Sequence, residues 1–127
     1  MACHLKLTPS FKVFGNNYDT LDGSAIRDYI HIDDVVDGHF AALNILSKIQ
    51  NYEVFNLGSN IGTSVFELID AFNEASGKKL NVQLGERRES DISVSYADSR
   101  KSNEILGWKA KKTLKQMCES YIEIYEN

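Results

Sequence analysis

The sequence predicts an α/β fold, in which a small mixed sheet is packed with helices. Segments that alternate like β-strands are interleaved along the chain with segments whose apolar residues recur at the helical period. Two capping-box patterns, in which a hydroxyl residue is followed three positions later by Glu or Gln, mark helix starts at Ser64 and Thr113. Interleaved strands and helices favour a layered α/β architecture over a helical bundle or a β-sandwich.

In the first half of the chain, alternating or β-prone residues predict strands at 11–14, 29–32 and 53–57. Asp33 or Asp34 is expected to cap a helix that continues through Lys48, because apolar residues recur there near the 3.6 period. A loop over residues 18–26 separates the first two strands, and Asp22-Gly23 is its strongest turn signal.

The second half of the chain is predicted to contain three helices and one strand. Ser64 opens a helix that ends at Gly77, a residue suited to a left-handed cap. Residues 80–84 alternate as a strand, and a short helix over 99–106 is closed by Gly107. The second capping box opens the terminal helix.

Composition and charge are those of one soluble domain. The chain has 127 residues, 43% hydrophobic and 25% charged, and this length can bury about two-thirds of the unfolded surface. A net charge of -4 argues against nucleic acid or an anionic membrane as a partner. Residues 1–10 have no clear period and contain the only proline, so we interpret them as a leader or remnant before a domain over 11–127.

Cysteine usage and the lack of a targeting pattern favour a cytoplasmic protein. Cys3 and Cys118 lack the spacing of a metal site and are too few for a disulfide framework, so we expect reduced thiols. No apolar run approaches the length of a membrane span.

Gly58 and Gly62 precede the helix that starts at Ser64. The backbone N–H groups of such a turn could cradle a phosphate, as glycine-rich turns do. Alternatively, the glycines supply only the backbone angles of a tight turn, which we favour. Their spacing matches neither the P-loop nor the dinucleotide fingerprint.

Two charged stretches, R-D-Y-I-H-I-D-D at 27–34 and E-R-R-E-S-D at 86–91, contain candidate binding groups. Arg27 offers a planar fork that matches a pair of phosphate oxygens. In the second stretch an arginine could meet a phosphate while Asp91 accepts a hydrogen bond from a sugar hydroxyl. The alternative is a solvated loop with weak surface ion pairs. Tyr29 could be a general acid and His31 a proton shuttle, although a lone histidine is more often structural.

We identify no catalytic, cofactor-binding or metal-binding residues in the sequence. It contains no Ser–His–Asp order, no HExxH pattern and no Cys/His cluster. It also contains no G-x-x-G-x-x-G fingerprint and no tyrosine followed four residues later by lysine. Hydride transfer therefore has no visible support within this chain.

Several segments resemble the C-terminal part of the UDP-glucose 4-epimerase family, a branch of the extended short-chain dehydrogenases/reductases. They include VFGNNYDTLDGSAIRDYIHIDDVVDGHFAAL, FNLGSNIGTSVFELIDAFNEASGKK and ERRESDISVSYADSRKSNEILGWKAKKTL. Related sugar-nucleotide decarboxylases and dehydratases vary the residues that read RDYIHIDD here, so a 4-epimerase is the best match. The resemblance implies the fold of a C-terminal substrate-binding portion, without the NAD-binding Rossmann domain.

The resemblance implies UDP-binding roles for several residues. Phe14 and the neighbouring Phe11 correspond to the segment that lines the uracil pocket, and Val65 approaches the uridine. Arg27 and Arg88 match the pair of arginines that hold the two phosphates. The glycine turn would shape the wall behind Val65.

Three further residues complete the implied site. Tyr29 would lie beside the nucleotide, and Asp91 would bond the ribose. Ser95 falls where family members have either a bulky tyrosine or a small residue. A small residue enlarges the hexose pocket, so we expect N-acetylated UDP-hexosamines to be tolerated besides UDP-glucose and UDP-galactose.

The resemblance further implies that the whole protein interconverts UDP-glucose and UDP-galactose, in galactose metabolism, with bound NAD. The NAD site and the catalytic tyrosine and lysine would lie in an N-terminal portion outside this sequence. We therefore expect the chain alone to bind no cofactor, to be inactive and to have at most weak affinity for UDP-sugars.

The N-terminal NAD-binding portion would also be the partner of this chain. The helix from Asp33 and the strand near 53–57 would pack against it, so their apolar side chains would be exposed here and could cause self-association. Three alternatives remain: a non-catalytic UDP-sugar-binding module, a fragment of another UDP-sugar 4-epimerase or decarboxylase, or a remnant without a ligand.

Overall fold

The structure, a computed structural model, describes residues 10–126 and confirms the α/β class. Its strands are β1 (Phe11–Phe14), β2 (Ile26–Asp28), β3 (Gly62–Ser64), β4 (Val82–Gly85) and β5 (Val94–Ser95). Its helices are α1 (Ile32–Ile45, continued by a 3₁₀ turn at Leu46–Lys48), α2 (Val65–Ser76), α3 (Arg100–Leu106) and α4 (Leu114–Glu126). Within residues 10–126, no helix is both long and apolar enough to cross a membrane.

The described strands form two small sheets. β1 and β4 pair in parallel, with Phe14 opposite Gly85. β2 is the middle strand of the second sheet, which is mixed because β2 runs antiparallel to β3 and parallel to β5. The register places Arg27 between Thr63 and Ser95. Side chains at paired positions point to the same face, so these three residues share one face of the sheet.

The hydrophobic core lies between β1, α2 and α4. Its buried members are Val13, Ile69, Phe72, Leu80 and Cys118. The four large apolar side chains among them, Val13, Ile69, Phe72 and Leu80, each contribute about 1.5–3 kcal/mol when fully buried. Packing in this core therefore fixes the positions of β1 and of the start of α2. Burial also raises the pKa of the free Cys118 thiol, whereas Cys3 lies outside the described residues.

The predicted capping box at the start of α2 is confirmed. Ser64 Oγ accepts the N–H of Glu67 at 3.0 Å, and Glu67 Oε2 accepts the N–H of Ser64 at 2.7 Å. The Ser64 hydroxyl also donates to the Asp22 carboxylate, which fastens the preceding loop to this helix end. Gly77 ends α2 in the left-handed conformation with φ of 63°, as predicted.

The predicted start of α1 is wrong by two or three residues. The cap is His31, whose Nδ1 accepts the N–H of Asp33 at 3.0 Å. Asp34 is instead buried, and its Oδ2 accepts the N–H groups of Lys111 and Lys112 at 3.1 and 2.9 Å. Residues 29–32 form no strand because the ladder of β2 with β3 ends at Asp28 and the helix begins at Ile32.

The predicted strand at residues 53–57 is also absent from the structure. No described strand lies beside this segment, so its backbone has no ladder to join. Asn56 is instead bonded to α3 and to the residues before it: Ser102 Oγ donates to Asn56 O at 2.5 Å, and Asn56 Nδ2 donates to the backbone carbonyl of Asp98 at 3.2 Å. The alternating pattern of residues 53–57 therefore predicted a strand that pairs with none of the strands within residues 10–126.

The remaining predicted elements are found with shifted ends. The strand expected at 80–84 is Val82–Gly85. The helix expected over 99–106 is Arg100–Leu106, and Gly107 closes it with φ of 65°. Thr113 and Gln116 make the reciprocal bonds of the second capping box before α4. Residues 1–9 lie outside the described residues, so the leader assigned to 1–10 stays a prediction.

Helix α1 reverses the burial pattern that is usual for a helix of a globular protein, because it buries polar or small residues and exposes apolar ones. Its buried positions are Asp34 and Gly38. Gly38 is needed for close packing, since a Cβ there would lie 2.7 Å from Leu57 Cδ1. The outward positions are apolar and exposed: Ile32, Val36, Phe40, Leu43 and Leu46. The expected exposure of apolar side chains on this helix is confirmed.

Candidate functional site

The carboxylate of Asp91 is the meeting point of two arginines that are distant in sequence. Arg88 approaches Asp91 Oδ2 with Nε at 2.7 Å and with Nη2 at 2.6 Å. Arg27 Nη2 lies 4.0 Å from Asp91 Oδ1. Two guanidinium groups against one carboxylate leave a net positive charge at the surface. Such a cluster attracts an anion and can bind it bidentately.

The two sheets hold these side chains in place. Arg27 lies in β2, and its Nη1 donates to the carbonyl of Ile26 at 2.7 Å. Arg88 and Asp91 belong to the loop after β4, where the Asp91 N–H donates to Arg88 O at 3.2 Å. The N–H of Ile26 donates to Ser93 O at 2.8 Å and so fastens the end of this loop to β2.

Phe14 lies beside the arginine cluster, and Phe11 does not. The Arg88 guanidinium carbon is 4.9 Å from the centroid of the Phe14 ring, which is 38% exposed. Phe11 packs against the core, as does Val65 at the start of α2. Residues 11 and 14 of one strand point to opposite faces because side chains alternate. That period could have separated the two phenylalanines in the sequence.

Tyr29 and Ser95 lie near Arg27 in different ways. Tyr29 follows β2 directly and is half-buried. Burial raises the pKa of its hydroxyl, and the positive charge of Arg27 opposes this effect more weakly. Tyr29 therefore keeps its proton at neutral pH and can donate a hydrogen bond. Ser95 is exposed and stands opposite Arg27 in the parallel ladder.

Asp28 is a structurally important residue that the sequence analysis did not single out. Its Oδ1 accepts from the N–H and the hydroxyl of Ser59 at 2.9 and 2.5 Å, and its Oδ2 accepts from the N–H of Ala97 at 3.1 Å. It thus joins the glycine turn to the residues after β5. A single carboxylate beside Arg27 gave no signal of this role in one sequence.

The glycine turn is built for structure rather than for a phosphate. The N–H of Ser59 is bonded to Asp28, and the N–H of Ile61 is bonded to Ser59 Oγ at 3.1 Å. The carbonyl of Gly58 accepts from Ser99 Oγ at 3.0 Å. Donors that already have partners within the protein are poor phosphate ligands. The glycines do not supply special backbone angles either, because the positive φ of this turn, 61°, belongs to Asn60. Gly58 instead permits close packing, since a Cβ there would lie 2.5 Å from Ala97 Cβ.

His31 agrees with its structural interpretation as well. The ring is buried, and its Nε2 lies 3.0 Å from Ser120 Oγ on α4 while Nδ1 caps α1. Both nitrogens are occupied, so the ring has no free position for proton transfer to a ligand.

Residues 10–126 do not fit the NAD that the resemblance implies for the whole protein. The N-terminus of α2 is the natural candidate for a pyrophosphate, but it already carries the carboxylates of Glu67 and Asp22. These negative groups would repel a dinucleotide. Within the same residues, no group of three or more His, Cys, Asp or Glu side chains is arranged to hold a metal ion.

Comparisons with known proteins show which family the chain resembles. A sequence model of the GDP-mannose 4,6 dehydratase family matches residues 13–121. A relative from Arabidopsis thaliana, named bifunctional UDP-glucose 4-epimerase and UDP-xylose 4-epimerase 3, is 50% identical over 113 residues, 87% of this chain and 32% of the relative. The UDP-glucose 4-epimerase of Drosophila melanogaster is 43% identical over 113 residues, with the same coverage.

Solved structures give the same result. The UDP-glucose 4-epimerase from Stenotrophomonas maltophila, with bound NAD and formylated UDP-arabinopyranose, has a TM-score of 0.93 at 38% identity, over 98% of this chain and 37% of that chain. The enzyme from Bifidobacterium longum in complex with NAD+ and UDP has a TM-score of 0.82 at 38% identity, over 91% and 34%.

The chain spans about a third of the length of the curated relatives it matches. Most of its own length is nevertheless covered by the family match, in agreement with the resemblance expected from the sequence. The chain therefore belongs to the GDP-mannose 4,6 dehydratase family, and it is similar to a C-terminal portion of UDP-glucose 4-epimerases.

Proposed function

We propose that this chain is the UDP-sugar-binding portion of a UDP-glucose 4-epimerase. Arg27 and Arg88 hold the diphosphate, and Asp91 accepts a hydrogen bond from the ribose. The observation that carries the proposal is the convergence of both arginines on Asp91. The ligands bound in two similar structures, UDP in one and formylated UDP-arabinopyranose in the other, support it.

Binding would rearrange an ion pair that already exists. In the free chain the Arg88 guanidinium neutralises Asp91, at 2.6 Å. A diphosphate brings more negative charge than one carboxylate, so Arg88 turns its fork toward the phosphate and Asp91 becomes free to accept from a hydroxyl. Arg27 needs little movement because β2 holds its backbone. The exposed face of Phe14 offers an apolar surface for the base.

Tyr29 and Val65 complete the proposed pocket. The protonated Tyr29 hydroxyl can donate to an oxygen of the nucleotide, and Val65 offers an apolar contact at the start of α2. Phe11 supports the pocket from the core side of β1 rather than touching the ligand. Binding through UDP leaves the hexose free to turn, which the interconversion of UDP-glucose and UDP-galactose requires.

The chemical step belongs to the part of the protein outside this chain. Solved relatives bind NAD, and a bound NAD in that part would supply the acceptor for the hydride from C4 of the sugar and the donor for its return. The residues described here bind and orient the substrate, which lowers the entropic part of the barrier. The N-terminal NAD-binding portion would cover the exposed stripe of α1 and supply a partner strand for residues 53–57. We place this activity in cytoplasmic galactose metabolism.

The side chain of Ser95 bears on which sugars the proposed pocket accepts. Its small, exposed side chain stands beside Arg27, so a bulky substituent on the hexose meets no side-chain wall at this position. A similar structure, 37% identical with a TM-score of 0.86, is the UDP-Glc/GlcNAc 4-epimerase from Campylobacter jejuni. We therefore propose that N-acetylated UDP-hexosamines fit the same pocket.

A titration of the purified chain with UDP tests the binding proposal. We expect saturable chemical-shift changes in 15N spectra at Arg27, Arg88, Asp91 and Phe14. Arg27→Gln and Arg88→Gln should each weaken binding about tenfold or more, since each removes a charge-assisted contact. Arg100→Gln is the matched control, because Arg100 is exposed and pairs only locally with Asp98. The absence of saturable shifts in the wild-type chain would contradict the proposal and favour a scaffold without a ligand.

An activity assay tests the division of labour between the two portions. With UDP-galactose and NAD added, the 127-residue chain should form no UDP-glucose above the level without protein. Measurable conversion would overturn the view that hydride chemistry lies elsewhere. Joining the chain to an NAD-binding portion from a relative should restore conversion. The same fusion with Arg27→Gln should have a lower kcat/KM than the unsubstituted fusion.

A further inference from the structure

We propose that Arg87 is a positioning residue, which holds Asp91 and thereby orients the two phosphate-binding arginines, and that Tyr18 is the platform on which it acts. This inference rests on the proposed function of Arg27, Arg88 and Asp91. Neither Arg87 nor Tyr18 belongs to the residues that contact the ligand in that proposal.

Arg87 binds the backbone of Asp91 rather than its carboxylate. Its Nη2 donates to the Asp91 carbonyl at 2.9 Å. The neighbouring Arg88 binds the carboxylate of the same residue. Two adjacent arginines thus have different tasks, because one holds the main chain of Asp91 and the other meets its side chain.

The position of Arg87 is set by an aromatic ring. Its guanidinium carbon lies 4.2 Å from the centroid of Tyr18, within the range of a cation–π contact. Tyr18 is only 4% exposed, and its N–H donates to Gly23 O at 2.9 Å. A buried ring that is fixed by its own backbone offers a rigid surface for a planar cation.

Gly15 shows that this stack is closely packed. It has φ of +85°, and a Cβ there would lie 2.7 Å from Tyr18 Cε2 and 3.1 Å from Arg87 Cβ. The N–H of Gly15 donates to Gly85 O at 2.9 Å, which ties the stack to the ends of β1 and β4. The three residues form one layered unit at the carboxyl end of this parallel pair.

Tyr18 also reaches the site itself. Its hydroxyl lies 3.4 Å from Asp91 Oδ2, a long and therefore weak hydrogen bond. The short bond from Arg87 to the Asp91 carbonyl is the main restraint, and the Tyr18 hydroxyl is a secondary one. Both act on the loop over residues 86–91, whose other side chains are mostly exposed. Ordering this loop before the ligand arrives lowers the entropic cost of binding.

The experiment compares Arg87→Lys and Tyr18→Phe with the wild-type chain. Arg87→Lys keeps the charge but loses the planar fork, and Tyr18→Phe keeps the ring but loses the hydroxyl. Arg100→Lys and Tyr52→Phe are matched controls at exposed positions outside the site. Two quantities are measured: backbone 15N order parameters of residues 86–91 without ligand, and the Kd for UDP.

We expect Arg87→Lys to lower the order parameters of the loop and to weaken UDP binding about fivefold, with Tyr18→Phe showing a smaller effect in both quantities. The combined variant should weaken binding by less than the product of the two single effects, because both residues act on Asp91. The two controls should leave both quantities unchanged. Since Tyr18→Phe and Arg87→Lys preserve the ring and the charge, both chains should fold, which a thermal melt verifies.

Unchanged loop order in ligand-free Arg87→Lys overturns the inference, even where UDP affinity falls, because that pattern is typical of a direct ligand contact. Unchanged affinity together with a disordered loop also overturns it. The ligand-free measurement needs no UDP. A wild-type chain that does not bind UDP would therefore refute the proposed function while the order parameters still decide whether Arg87 orders the loop.

Discussion

The Nδ1 atom of His31 accepts the backbone N–H of Asp33 at 3.0 Å, so an imidazole and not an aspartate begins α1. Because Nδ1 is an acceptor, the ring proton lies on Nε2, which donates to Ser120 Oγ at 3.0 Å. One buried side chain therefore joins the start of α1 to the terminal helix.

Replacing His31 should separate its contribution as the cap of α1 from its contribution through the hydrogen bond to Ser120. His31→Ala removes the cap and a buried hydrogen bond, so we expect the free energy of unfolding to fall by about 2 kcal/mol. His31→Asn can still cap the helix and should lose only about half as much. Urea denaturation of both variants measures this. An asparagine variant as unstable as the alanine variant would show that capping contributes little here.

Asp22 should make stability depend on pH in the acid range. Partial burial raises the pKa of its carboxyl, but hydrogen bonds from Ser64 and Ser24 lower it more, so the pKa in the folded chain is below the ordinary value. A carboxyl with a lowered folded pKa stabilises the fold above its unfolded pKa of about 3.9. That contribution is lost as pH falls through the folded pKa.

The measurement is urea denaturation of wild type and Asp22→Asn between pH 7 and pH 3. The wild-type chain should be the more stable one at neutral pH, and the difference should shrink below about pH 4. Asp70→Asn, at an exposed position of α2, controls for the general loss of a negative charge. A difference that stays constant or grows toward low pH would contradict the assignment.

The exposed stripe of α1 should cause association of the isolated chain. Val36, Phe40 and Leu43 are 45%, 62% and 61% exposed on one side of this helix, and contiguous apolar surface favours contact with another protein. Sedimentation velocity should therefore give an average mass that rises with concentration. The double variant Phe40→Lys, Leu43→Glu should reduce this rise.

Leu21→Lys is the matched control for association, because Leu21 is fully exposed but lies on a loop outside the stripe. It should leave the concentration dependence unchanged. A monomeric wild-type chain at all concentrations, or an equal effect of the loop substitution, would remove the stripe as the cause.

Ser95→Tyr should change which UDP-sugar binds more tightly without changing the affinity for UDP itself. In the wild-type chain, UDP-glucose and UDP-N-acetylglucosamine should bind with similar Kd. The tyrosine fills the space beside Arg27, so binding of the N-acetylated sugar should weaken about tenfold or more, as a steric clash in a pocket does. Titration calorimetry with UDP as a third ligand supplies the control. Unchanged selectivity would refute the role of Ser95.

Elements whose ends are set by interactions between residues close in sequence could be predicted well. The Ser64–Glu67 capping box and the left-handed Gly77 are decided by neighbours in the chain, so both ends of α2 followed from the sequence. The start of α1 did not, because His31 competes with two aspartates, and the buried position of Asp34 depends on the N–H groups of Lys111 and Lys112.

The candidate site was predicted in part. The family resemblance singled out Arg27, Arg88 and Asp91, and the structure brings them together. It did not single out Arg87, Tyr18 or Asp28, since a stacked guanidinium and a shared carboxylate leave no pattern in a single sequence. The ligand roles of the eight predicted residues remain predictions that the titrations above can test.

By itself, the sequence determined the α/β class, both ends of α2 and the family to which the chain belongs. Those features depend on short-range hydrogen bonds, side-chain periodicity and ordered motifs, all of which are contained in neighbouring residues. Only the tertiary structure decided that residues 53–57 lack a strand partner within residues 10–126, that Asp34 is buried against the N–H groups of Lys111 and Lys112, and that two arginines meet at Asp91. These depend on which distant segments lie side by side, because backbone pairing, burial and ion pairs are properties of both partners together.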